Sequence, residues 1–122
     1  MREHPIVAAT LLAVAVFLAA CGGDTSGAAG DEFARGESLF ANNCAVCHGP
    51  EGTGTTVGPP LVHIVYEPSH HSDESFQRAV AEGVVAHHWD FGPMPAMPGL
   101  DRDEVADIIA YVRALQREAG IE

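Results

Sequence analysis

Residues 44–48 read Cys44-Ala45-Val46-Cys47-His48, and this order decides what the rest of the chain has to do. Two cysteines separated by two residues, with a histidine directly after, form the attachment pattern for c-type haem. Each thiol adds to one vinyl group, so both sulfurs must reach two points on one edge of the ring. A two-residue spacer lets one helical turn place them. The next residue then offers an imidazole nitrogen to the iron as its proximal ligand. Cys44 and Cys47 are therefore the expected covalent anchors and His48 the expected first axial ligand of one haem c. A zinc site would need further ligands at suitable spacing; the only other cysteine is Cys21, which leaves distant histidines. A thioredoxin-like pair belongs beside a βαβ pattern, and the sequence has none.

Working outward toward the N-terminus, Ile6 to Ala20 is a small and apolar run interrupted only by Thr10. It suits the core of an export signal and is short for a membrane span of about twenty residues. The run ends Leu18-Ala19-Ala20-Cys21-Gly22, which resembles a bacterial lipobox with cleavage before Cys21 and acylation of its thiol. A plain signal peptide would leave Cys21 as an unpaired thiol in an exported protein. The expected segments are a lipoprotein signal peptide over 1–20, a flexible tether over 21–30 and a folded domain over 31–122. Gly22 to Gly30 has no apolar period, and a coil of that length reaches roughly 17 Å.

The 122 residues carry a net charge of −11, and all six basic residues are arginine. An acidic chain of this kind excludes nucleic acid as a partner and does not adhere electrostatically to anionic lipid. Membrane attachment must come from lipid on Cys21. Docking through a ring of lysines is also excluded. About ninety residues remain to fold, a size at which apolar burial alone is marginal. A covalently held haem adds a large apolar plate to such a core.

Downstream, Asp31 to Asn43 reads as a helix with Phe33, Gly36, Leu39 or Phe40, and Cys44 on one side. Gly36 costs roughly 1 kcal/mol there against alanine, which makes sense where another helix crosses closely. Gly49 to Gly54 is a tight loop without the Walker pattern. Gly58-Pro59-Pro60-Leu61 is stiff, and the Pro59 carbonyl is an acceptor suited to orient His48, with Leu61 against the ring. Val62 to Tyr66 is ambiguous between strand and helix. Ser72 reads as the cap of a helix over Asp73 to about Glu82 with Phe76, Ala79 and Val80 inside, ended by Gly83.

Val84 to Pro98 is too interrupted by proline for regular structure, yet it holds Met94 and Met97. A thioether on haem iron is a reason for methionine in such a loop. Asp101 and Glu104 have capping-box spacing. Val105, Ile108, Ile109, Val112 and Leu115 then line one face of a last helix running to about Glu118.

Taken together, Asp31 to about Gln116 resembles the class I cytochrome c family. Gly36 and Phe40 precede Cys44 as in that family's first helix, and Ile108 and Tyr111 match its crossing last helix. Gly58-Pro59 and Gly92-Pro93-Met94-Pro95 match the segments around its two axial ligands. The resemblance implies an all-α fold, three to four helices around one covalently bound haem, with the terminal helices crossed. It implies Met94 as sixth ligand in preference to Met97, and Met97 as a residue against the haem; Trp89 lies outside the family's core pattern and is expected to pack on the haem edge with its N–H toward a propionate.

Pro93 interrupts the family's glycine–methionine contact. The pairs His70-His71 and His87-His88 lie outside its pattern; His87 or His88 could replace methionine or bind a second metal, or all four could be solvated or donate to haem propionates. The resemblance implies an electron carrier rather than an enzyme; with lipid on Cys21, the carrier is expected to be tethered to a bacterial membrane, facing the periplasm or the exterior. Its expected donor is a quinol-oxidising complex or dehydrogenase, and its acceptor a terminal oxidase or reductase. A haem-based ligand sensor and a haem subunit of a larger oxidoreductase are the alternatives.

Overall fold

A glycine in the first helix and an aromatic in the last meet where the two helices cross. A computed structural model describes residues 25–122; the signal segment and Cys21 lie outside the described residues. In chain order these form α1 (Thr25–Asn43), α2 (Ala45–His48), α3 (Asp73–Glu82) and α4 (Arg102–Glu118), with 3-10 turns at Pro50–Gly52 and Ile64–Tyr66. Extended pairing among the described residues is limited to one isolated bridge between Val84 and Met94. The all-α class with crossed terminal helices is as expected.

At the crossing, a Cβ on Gly36 would overlap the Asp107 carbonyl oxygen and stand 2.9 Å from Tyr111 Cβ. Only glycine lets the two backbones approach so closely. Tyr111 is wedged between Phe33 and Phe40, with ring centroids 5.1 and 5.5 Å away. Phe40, Cys44, Ile108, Tyr111 and Val112 form one buried cluster. Val80, Val105 and Ile109 form a second. Phe76 and Leu100 pack against both and join them. Each large apolar side chain buried this way contributes roughly 1.5–3 kcal/mol.

The caps of α4 are as its sequence implies. The Asp103 and Glu104 backbone N–H groups donate to Asp101 Oδ1 at 3.0 and 2.9 Å, and the Asp101 N–H donates to Glu104 Oε2 at 3.1 Å. Two details differ from the sequence reading, and one open reading is resolved. α1 begins at Thr25 rather than Asp31, so the last six residues of the expected flexible tether, 25–30, are helical. A Cβ added at Gly27 or Gly30 would meet nothing within 4 Å, so at these glycines the turns stand clear of the core and extend an existing helix, where each residue adds a hydrogen bond without a new nucleus. Ser72 precedes α3 as expected but makes no side-chain cap; its carbonyl instead accepts from Ser75 Oγ at 2.6 Å. The ambiguous run before Pro68 is a 3-10 turn, opened by the Val65 N–H donating to His63 Nδ1 at 3.2 Å.

Candidate haem-attachment site

The helical ladder of α1 runs through Cys44, whose N–H donates to the Phe40 carbonyl at 2.8 Å, and the His48 N–H then reaches the Cys44 carbonyl at 2.9 Å. One turn of helix therefore separates the first thiol from the imidazole. Cys44 is buried and Cys47 exposed. Burial, with a smaller push from Cys47, raises the Cys44 thiol from 9.0 to about 11. The chain returns over Cys47 at Gly58, where a Cβ would lie 2.5 Å from the Cys47 carbonyl oxygen. Thr55 Oγ1 donates to that same carbonyl at 2.6 Å.

That return brings Pro59 to His48. His48 Nδ1 lies 2.8 Å from the Pro59 carbonyl oxygen. A carbonyl only accepts, so Nδ1 carries the proton and Nε2 keeps its lone pair. Desolvation lowers the His48 pKa, offset in part by this hydrogen bond, which favours the neutral ring. This is the tautomer and charge state that a metal-ligating histidine needs. Leu61 follows, half-buried against the first core cluster.

The second part of the site comes from the loop after α3. Met94 is paired with Val84 through two backbone hydrogen bonds of 2.9 Å, and the Met97 N–H donates to the Val80 carbonyl at 2.8 Å. Both methionines are half-buried against Val80, Val105 and Ile109. Cys44 and Met94 thus belong to different packing groups, linked through Phe76 and Leu100. Trp89 packs edge-on against His63 at 5.1 Å and tilted toward Phe91 at 6.2 Å. Its indole N–H is close enough to Tyr66 to offset part of the burial-driven rise in the phenol pKa. Even so, Trp89 Nε1 is buried without a hydrogen bond of ordinary geometry among the described residues.

An orphaned buried donor costs about 1–3 kcal/mol, and an anionic acceptor such as a haem propionate would satisfy it. The oriented His48 and the orphaned Trp89 donor both fit a haem c held at Cys44 and Cys47.

The four histidines outside the family pattern converge. His70 Nε2 and His88 Nε2 are 3.3 Å apart, His87 lies against His88 with centroids 4.3 Å apart, and His71 lies 5.1 Å from His88.

Two functional supports have no apolar signal in the sequence. Arg113 is 7 % exposed and Gln116 fully buried, on the inner face of α4. Arg113 donates to Asp73 Oδ1 at 2.9 Å, to the Tyr66 carbonyl at 2.7 Å, to Gln116 Oε1 at 2.6 Å and to the His71 carbonyl, and it stacks over Phe76 at 4.8 Å. Gln116 Nε2 donates to the carbonyls of Leu61 and Tyr66 at 2.8 and 3.1 Å. Together they fasten the irregular segment 61–71, which continues from Pro59, onto α4. Their only sequence trace is position: they extend the Ile109–Val112 face at helical spacing.

A family model described as Cytochrome c matches residues 33–116. A cytochrome c-553-like protein of Synechocystis sp. (strain ATCC 27184 / PCC 6803 / Kazusa) is 32% identical over 83 residues, covering 66% of this chain and 67% of that protein. The crystal structure of the c-type cytochrome XoxG from Methylobacterium extorquens AM1 is similar with a TM-score of 0.54 and 28% sequence identity. That match covers 70% of this chain and 50% of XoxG, so the chain spans about half of XoxG's length.

Proposed function

Because this chain belongs to the cytochrome c family, with covalently bound haem c and a role in electron transfer, we propose that it is a lipid-tethered single-electron carrier whose iron is held by His48 and Met94. Haem iron with two protein ligands supplies a one-electron couple that takes up or releases charge without binding a substrate. Cys44 and Cys47 would anchor it through thioethers. Pro59 holds the His48 ring with Nε2 free, and the 2.8 Å contact between them is the observation that carries the reading. The Val84–Met94 bridge fixes the backbone of the second ligand. Met94 is packed on the core cluster of Val80, Val105 and Ile109, whereas His87 and His88 are exposed, which favours methionine over a second histidine. Leu61, Trp89 and Met97 exclude water from the ring, which favours the less charged ferrous state and raises the potential.

Electrons would cross at the exposed Cys47, flanked by Val46 and Val57, which are 79% and 60% exposed. A small apolar contact of this kind suits brief encounters. It is consistent with a quinol-oxidising complex or dehydrogenase as donor and a terminal oxidase or reductase as acceptor. No helix among the described residues is long and apolar enough to cross a membrane. Residues 1–20 would be removed as a signal peptide, leaving Cys21 acylated on a bacterial membrane, facing the periplasm or the exterior. Since α1 starts at Thr25, the segment 25–30 would act as a helical stem about 9 Å long rather than a coil. Cys21→Ser should release the protein from the membrane fraction.

Spectra of the haem-loaded protein test the ligands. Weak methionine-to-iron charge-transfer absorption in the ferric form and no carbon monoxide complex in the ferrous form are expected. Met94→Ala should abolish the band and admit carbon monoxide. If Met94→Ala keeps the parent spectrum and potential, the assignment fails.

A further inference from the structure

His70 and His71 lie in the turn before α3, and His88 lies in the loop that follows it. The fold brings one ligand nitrogen from each to within 4.8 Å of the others. The His70 Nε2 to His88 Nε2 separation is 3.3 Å. Two nitrogens bound tetrahedrally to one zinc, each about 2.0–2.1 Å from it, stand about 3.3–3.4 Å apart. A hydrogen bond between two imidazoles would account for that one distance but not for the third ring.

His71 is also oriented. Its Nδ1 lies 2.6 Å from the Val65 carbonyl, so Nδ1 is the protonated nitrogen and Nε2 keeps its lone pair. Its ring rests on Tyr66 at 4.9 Å, and its carbonyl accepts from buried Arg113. One ligand is therefore built into the body of the protein while His70 and His88 are exposed and able to close around an ion. His87 is stacked beside the group, with its Nδ1 on the Val85 carbonyl at 2.9 Å.

We propose that His70, His71 and His88 bind one borderline divalent cation, Zn2+ or Cu2+, as a three-imidazole site completed by water. Imidazole nitrogens suit both ions, and copper binds such donors more tightly than zinc. The site is separate from the haem-attachment motif, and because it uses His88 it rests on the reading above that Met94, not His88, is the sixth haem ligand. Its effect would be mechanical. The cation would clamp the loop carrying Met94, six residues beyond His88, to the turn that Arg113 fastens to α4.

The test is calorimetric titration of the chelator-treated, haem-loaded full chain with Zn2+, alongside size measurement. One Zn2+ per monomer with a Kd of about 10 µM or tighter is expected. His70→Ala and His88→Ala should each weaken it by about tenfold or more, and His87→Ala by less than about threefold. Unchanged haem spectra in these surface variants will show that they fold. Saturating Zn2+ should raise the thermal midpoint of the parent and not that of His88→Ala. Absence of saturable binding, binding indifferent to His70→Ala and His88→Ala, or binding only with dimer formation would each overturn the proposal.

Discussion

Gly36→Ala sets two effects against each other with opposite signs. In an isolated helix the change stabilises by about 1 kcal/mol, because alanine loses less backbone freedom than glycine. In this fold the new methyl carbon would sit inside the Asp107 carbonyl oxygen and 2.9 Å from Tyr111 Cβ. The obstructing oxygen belongs to the α4 backbone, so no rotamer change relieves it. The two helices must move apart, loosening Tyr111 from Phe33 and Phe40. Overpacking of this kind costs typically about 1–3 kcal/mol, occasionally more, and a backbone obstacle puts the cost at the upper end.

The net expectation for Gly36→Ala is a loss of about 2 kcal/mol. For a domain of this size that is a fall in thermal midpoint of roughly 8–16 °C. Denaturant unfolding of the haem-loaded protein, followed by helix circular dichroism, measures it as a lower midpoint at unchanged slope. An unchanged or raised midpoint would mean that helix propensity wins, and the close crossing of α1 and α4 would be refuted.

Arg113→Lys keeps the charge but not the planar fork that serves four acceptors; a loss of about 2–4 kcal/mol is expected in the same unfolding assay, and a loss under about 0.5 kcal/mol would deny its role in fastening segment 61–71. Gln116→Leu strips the Leu61 carbonyl of its donor and should cost about 1–3 kcal/mol, measured the same way. Trp89→Phe keeps the ring against His63 but removes the orphaned donor. If that donor neutralises a propionate, the variant should show a lower reduction potential with unchanged spectra. An unchanged potential in a redox titration would place the N–H elsewhere.

Much of this protein is legible within short windows of sequence. The haem motif, the Asp101–Glu104 capping box and the apolar face of α4 each depend on residues within a few positions of one another. Local backbone geometry dictates them, so spacing alone reveals them. Gly36 and Pro59 were legible too, because a glycine inside a helix and a stiff carbonyl after a candidate ligand histidine each imply a neighbour. The start of α1 was not. Residues 25–30 have the composition of a coil, and the helix that follows them supplies the template.

What only the tertiary structure decided concerns polar groups distant in sequence. Arg113 reaches Tyr66 and His71 across 47 and 42 positions, and His70 reaches His88 across 18. Trp89 Nε1 is orphaned only because the packed loop takes it out of water. A polar side chain settles wherever folding leaves a carbonyl, a carboxylate or another imidazole within about 3 Å, and that partner is set by how helices and loops pack. Sequence by itself determined the haem motif and the helices around it; packing determined which polar residues meet, because side-chain hydrogen bonds join groups at sequence separations that periodicity does not encode.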